Sequence, residues 1–189
     1  MTDVGGDTSG PQAGRDAMAS EARKLAVDVL YSEKGHFLAA RSWRAWHYGL
    51  GVPAALIGAG AGASILGQAP ILVPGLLTLL AAALTALITF LNPSDRAAQH
   101  DRAGVEYARL RRTIRQFVQI DFATDSDGEL RRNLDSLTER VATVQGDAPP
   151  ISAGAHRAAL ASIKAGSADY TSEELDTAAG ALDRSQAAS

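Results

Sequence analysis

The chain contains no cysteine. That excludes a disulfide framework, thiol catalysis and Cys-ligated zinc, and it leaves the redox compartment open. Aromatic residues are scarce, at 5%, and a net charge of −3 is too small to point to a nucleic-acid partner. The most informative lack is local. From Ala45 to Ser94, 50 consecutive residues carry no Asp, Glu, Lys or Arg. The remaining 139 residues hold all 39 charged side chains and are about 28% charged, above the usual roughly 25%. An overall composition of 46% hydrophobic and 21% charged therefore averages two different materials.

Within the uncharged stretch, Tyr48 to Gly67 gives 20 apolar or small residues, Gln68, Ala69 and Pro70 break the run, and Ile71 to Leu91 gives 21 more. At 1.5 Å per residue each segment spans roughly 30 Å, the hydrocarbon thickness of a bilayer. The second carries 12 Leu, Ile, Val or Phe residues, worth on the order of −6 kcal/mol for insertion. The first is 11 parts in 20 Gly or Ala, so it is expected to enter with its partner as a hairpin. Neither segment has a polar face for water, which favours membrane spans over a buried hairpin in a soluble bundle. Lys34, Arg41 and Arg44 precede the spans and Arg96, Arg102, Arg109, Arg111 and Arg112 follow them, whereas the intervening turn has no cation, so both termini are expected in the cytoplasm. Trp43, Trp46 and Tyr48 stand where interfacial anchors belong, with His47 among them. The first 17 residues lack the charged start and apolar middle of a signal peptide, and a disordered, uncleaved tail is expected over 1–17.

Ala55, Ala59 and Ala63 at every fourth position, with Gly58 and Gly62 beside them as a G-x-x-x-G, make one side of the first span small. Such surfaces let helix backbones approach closely in lipid, although Gly and Ala are also simply frequent in membrane helices. Thr78, Thr85 and Thr89 lie along one side of the second span. They either line an aqueous path in an oligomer or bond back to the carbonyl four residues earlier. No charged residue sits at mid-membrane, which argues against a proton-coupled transporter or a charged selectivity ring. Pro53, Pro70 and Pro74 are placed near span ends, where a missing N–H costs little.

Flanking the spans, Met18, Ala22, Leu25, Val29, Ser32, His36, Ala39, Trp43 and Trp46 alternate spacings of 4 and 3, a heptad seam softened by Ser32 and His36. His36 fits a packed seam residue better than a ligand, since no second ligand lies a helical turn away. After Asn92 and Pro93, read as a cap and first helical position, His100, Ala103, Tyr107, Leu110, Ile114 and Phe117 form a second seam. Tyr107, Leu110, Ile114 and Phe117 are its expected oligomer contacts. Asp95 to Arg115 carries +3, and Arg109, Arg111, Arg112 and Arg115 either meet anionic head groups or form a solvated face. Leu130, Leu134, Leu137, Val141 and Val144 predict one more helix. Beyond a linker at 146–150, short helices are expected at about 153–165 and 172–184, the latter opened by a capping box of Thr171 and Glu174. Residues 121–189 are net −6, an acidic tail that docks loosely or serves a partner.

No catalytic set emerges. His36, His47, His100 and His156 are far apart in sequence, no Ser stands in a nucleophile motif, and neither an enzyme, a metal nor a cofactor is expected. The segments Tyr31-Ser-Glu-Lys-Gly-His-Phe-Leu-Ala-Ala-Arg41, Leu50-Gly-Val-Pro-Ala-Ala55, Phe90-Leu-Asn-Pro93, His100, Tyr107 and Leu110-Arg-Arg-Thr-Ile-Arg115, in this order around two spans, resemble the SLATT family of SMODS- and SLOG-associating two-transmembrane effector domains. The resemblance covers roughly residues 20 to 145. It implies a bacterial inner-membrane effector of nucleotide-second-messenger conflict systems that forms pores in an infected cell, signalled by a separate nucleotide-producing or nucleotide-sensing protein.

The expected architecture is all-α: a tail over 1–17, a domain over 18–145 with helices at 18–47, 48–67, 71–91, 93–123 and 128–145, and a linker and acidic helical tail over 146–189. It is a two-helix transmembrane hairpin with long flanking cytoplasmic helices, whose partners are the lipid bilayer and further copies in a homo-oligomer. A membrane-anchored scaffold or regulatory subunit is the alternative to a pore. A holin-like lysis protein is a third reading, disfavoured by the length of ordered helix after the last span.

Overall fold

The structure, a computed structural model, describes residues 9–166, with side chains from Gln12 onward. It is all-α, with α1 (Ser9–Leu66), α2 (Leu72–Leu91), α3 (Pro93–Gln116), α4 (Phe122–Thr124), α5 (Asp127–Asp147) and α6 (Ala153–Lys164). A π-helical turn, Phe117–Asp121, joins α3 to α4. The capping box at Thr171 and the helix expected over 172–184 lie outside the described residues.

The first helix is longer than its sequence pattern suggests. The flanking helix leads into the first span across the composition change near Tyr48, and the backbone runs unbroken for 58 residues, about 87 Å. A change in side-chain polarity alters the helix's surroundings without interrupting its hydrogen bonds. The helix also reaches back to Ser9, into the stretch read as a disordered tail. Pro11 falls in the first turn, where its missing N–H has no intrahelical partner to lose. Arg15 then fixes these turns to the start of α5, pairing its Nε with Asp127 Oδ1 at 2.5 Å and donating through Nη2 to the Asp125 carbonyl at 2.5 Å. Pro53 accordingly sits inside α1 rather than at a helix end, and removes one bond to the carbonyl of Gly49.

Two left-handed residues turn the chain. Gln68, with φ 56°, closes the apolar hairpin, and the Ala69 N–H donates to the Ser64 carbonyl at 3.0 Å to cap the end of α1. Asn92, with φ 43°, ends α2, its N–H donating to the Ile88 carbonyl at 2.9 Å. Asn92 is thus a C-terminal stop for α2 rather than the side-chain N-cap read from the sequence, and Pro93 at the first position of α3 restarts the helix.

The seams then meet each other. Ala22 and Val29 of α1 pack with Tyr107, Leu110, Ile114 and Phe117 and with Leu130, Leu134, Leu137 and Val141 of α5 in one core. Its helices form a bundle, with α3 antiparallel to α1 and α5 antiparallel to α3, while α6 runs back along α1. At Gly104 the two long helices come close enough that an added Cβ would stand 2.9 Å from the Phe37 ring. The residue has to be glycine for α1 and α3 to keep this distance. The start of α5 is held by a capping box, in which the Ser126 N–H and hydroxyl both donate to Glu129 Oε2, at 3.1 and 2.6 Å. These bonds hold the Glu129 carboxyl below its ordinary range. Ser126→Ala is expected to lower bundle stability by about 1 kcal/mol, read as a shift of the urea midpoint; no shift would remove the capping role.

Candidate functional site

The charge-free segment forms an antiparallel pair whose inner face is narrow. Leu50, Ala54, Ile57, Ala61 and Ser64 of α1 turn toward Leu77, Ala81, Leu84 and Ile88 of α2, at heptad-like spacings. A Cβ on Gly58 would lie 4.0 Å from Ala81 Cβ, and one on Gly51 3.9 Å from Ile88 Cδ1, so these glycines border the contact. The remaining circumference is bare, and Leu66, Ile71 and Phe90 are almost fully exposed. Both hairpin helices are long and apolar enough to cross a membrane.

The faces singled out from the sequence lie outside this contact except at Gly58, which borders it. Ala55, Gly58, Ala59, Gly62 and Ala63 are all exposed on the protomer, and α2 meets Ala54 and Ala61 instead. Thr78, Thr85 and Thr89 are exposed as well. Their hydroxyls donate to the carbonyls of Pro74, Ala81 and Thr85, at 2.8, 2.9 and 2.9 Å. Tyr107, Leu110, Ile114 and Phe117, expected as oligomer contacts, are buried in the protomer's own core.

Between the hairpin and the core lies a collar of buried polar groups. His36 and His100 meet through their Nδ1 atoms at 3.0 Å, one ring donating and the other accepting. The His36 ring also stacks on Tyr107, with centroids 5.4 Å apart at 20°, and Tyr107 is hydrogen-bonded to Ser32. Burial, followed by the neighbouring His100, lowers the His36 pKa to about 4. Burial and then Arg96 lower that of His100, with Asp101 opposing. Both rings are therefore neutral near pH 7. Burial raises the Tyr107 phenol. One turn further from the hairpin, Glu33 is 5% exposed and receives Arg111 Nε at 2.6 Å and Nη2 at 3.4 Å.

Sequence spacing missed this collar, since His36 and His100 are 64 residues apart. A usable signal was present, because each is the polar interruption in an otherwise apolar seam, and two such seams packed together bring their interruptions level. Among the described residues no group of three His, Cys, Asp or Glu side chains is placed to hold a metal ion. His47 is separate, its Nδ1 buried without a hydrogen-bond partner and its ring edge-on to Tyr48.

At the base of the hairpin the aromatic residues divide. Trp46 and Tyr48 are exposed, whereas Trp43 carries the Arg96 guanidinium over its ring at 5.1 Å. Arg44 pairs with Asp101 across α1 and α3. Arg109 pairs with Glu106 within its own helix at 2.7 Å, and Arg112 and Arg115 are exposed. No family model, curated protein or solved structure matches this chain.

Proposed function

We propose that the chain is a membrane effector whose apolar hairpin associates with other copies in the bacterial inner membrane and makes that membrane permeable. The observation that carries this reading is the division of the hairpin surface. The two helices are held together by Ala54, Ala61 and their neighbours, with Gly58 at the border, which leaves the small-residue face of Ala55, Ala59, Gly62 and Ala63 outside the protomer's own contact. In lipid, where close packing rather than hydrophobicity drives helix association, such a face favours another helix. Cations flank both ends of the hairpin and are absent from its turn, which supports cytoplasmic termini. The resemblance to SLATT effector domains supports a role in antiviral defence, with a nucleotide-signal protein as the upstream partner.

A second reading, a membrane-anchored scaffold whose bundle recruits a partner, is favoured by the threonines. Their hydroxyls are already bonded to their own helix and offer little to an aqueous path. Exchanging residues 48–91 for an unrelated two-span hairpin separates the readings. Dye entry and loss of membrane potential on induction are expected with the native hairpin and should vanish with the exchanged one, although both proteins insert. Permeabilisation that survives the exchange, or never occurs with the native chain, would refute the effector reading.

A further inference from the structure

Beneath the hairpin, α1, the first turns of α3 and the segment from Pro149 to Ser152 enclose a polar cavity of about 280 Å³. Its walls include Ser42, Trp43, Trp46, Arg96, Gln99 and His100. No acidic residue lines it. The nearby carboxylates are engaged elsewhere, Asp101 by Arg44 and Asp95 by the Gln99 amide at 3.1 Å. Arg96 is therefore a cation without an ion-pair partner among the described residues. It is nonetheless held in place, with its Cζ over the Trp43 ring at 5.1 Å and its Nε donating to the carbonyl of Leu91, the last residue of α2, at 2.9 Å. The terminal nitrogens of the guanidinium remain for a ligand. A fixed planar fork of this kind suits a phosphate, which accepts two parallel hydrogen bonds. The first turn of α6, beginning beyond Ser152 at the cavity edge, adds the positive end of a helix.

Position narrows the ligand. At about 280 Å³ the cavity is near the small end of small-molecule pockets, roughly 300–1,000 Å³, and has room for a phosphate with a modest substituent. The bond to Leu91 places the guanidinium where the apolar surface ends. We propose that this cavity is a phosphate subsite that takes the head group of an anionic phospholipid. The proposal rests on the reading of the hairpin as membrane-inserted. Bound there, the phosphate neutralises Arg96 and ties α1, α3 and the Pro149–Ser152 segment to the lipid surface.

The chain's only two tryptophans, Trp43 and Trp46, both line the cavity, so intrinsic fluorescence reports on it directly. The full chain is reconstituted in phosphatidylcholine vesicles, in the same vesicles with increasing phosphatidylglycerol, and in phosphatidylcholine with inorganic phosphate added outside. Flotation with the vesicles is scored first, and failure to float refutes the membrane reading itself. With flotation intact, a saturable change in tryptophan emission is expected with phosphatidylglycerol and not with phosphate. Arg96→Gln should raise the phosphatidylglycerol needed for the half-maximal change roughly tenfold, as fits loss of a charge-assisted contact. Arg140→Gln, which removes the same charge from the exposed face of α5, should leave it unchanged. An equal loss in both variants would reduce the effect to general surface charge. A response to phosphate alone would assign a soluble ligand, and no emission change in floated protein would abolish the site.

Discussion

Arg111→Met is expected to destabilise the helical bundle by about 3 kcal/mol, the lower end of the roughly 3–5 kcal/mol seen when one partner of a buried ion pair is removed. The Glu33 carboxylate is 5% exposed and receives both Nε and Nη2 of Arg111. Removing the guanidinium leaves a buried charge that α3 no longer satisfies. Arg111 itself stays partly open to solvent, at 23% for its side chain, so water relieves some of the loss. The double variant Glu33→Leu/Arg111→Met removes both charges and should recover most of the stability, because apolar replacements of a buried pair are often neutral or better. Urea unfolding of the full chain in detergent micelles, followed by helical circular dichroism, measures all three proteins. A single variant as stable as the native chain would show that the pair contributes nothing, and a double variant as weak as the single would place the loss in packing.

Acid should weaken the same region. The His36 pKa falls from 6.5 to about 4 in the folded protein, so the unfolded chain binds more protons than the folded one between these values. Stability is therefore full above about pH 6.5 and declines as the pH falls toward 4. A shift of this size corresponds to at most about 3 kcal/mol. His100 contributes in the same direction, since burial and Arg96 lower its pKa too. Protonating both rings would set two cations 3.0 Å apart between α1 and α3, with Arg96 on the same side and only Asp101 opposing. Thermal midpoints measured from pH 7 to pH 4 should fall in the native chain and flatten in His36→Leu/His100→Leu. Equal slopes in the two proteins would assign the acid sensitivity to the carboxylates.

The helices and their faces were legible because each depends on short-range spacing. Leu130, Leu134, Leu137 and Val141 read as one stripe in the sequence and form one face of the core. The run from Ile71 to Leu91 reads as a long apolar helix and α2 spans Leu72–Leu91. What spacing does not carry is the partner of a stripe. Tyr107, Leu110, Ile114 and Phe117 have the pattern of a coiled-coil contact, and nothing local distinguishes a second copy from Ala22 and Val29 of the same chain. The collar was hidden for the same reason, because His36, Glu33 and Trp43 acquire partners only when α3 folds back beside α1. The point at which α1 begins was also misplaced, since the Gly-rich polar stretch read as a tail over 1–17 carries no apolar stripe to mark the helix that starts at Ser9.

The two strands of polypeptide that enter the hairpin are mechanically unlike. On one side α1 is a single shaft, so a twist applied at Ala22 or Val29 is carried along the axis to Ala54 and Ala61, softened only at Pro53. On the other side the left-handed Asn92 interrupts the axis between α2 and α3. Turning α1 by one residue's worth of rotation, about 100°, would carry Ala54 and Ala61 away from α2 and bring Ala55 and Gly62 round in their place. Such a rotation of the shaft would exchange the surfaces that the hairpin holds inward and shows outward.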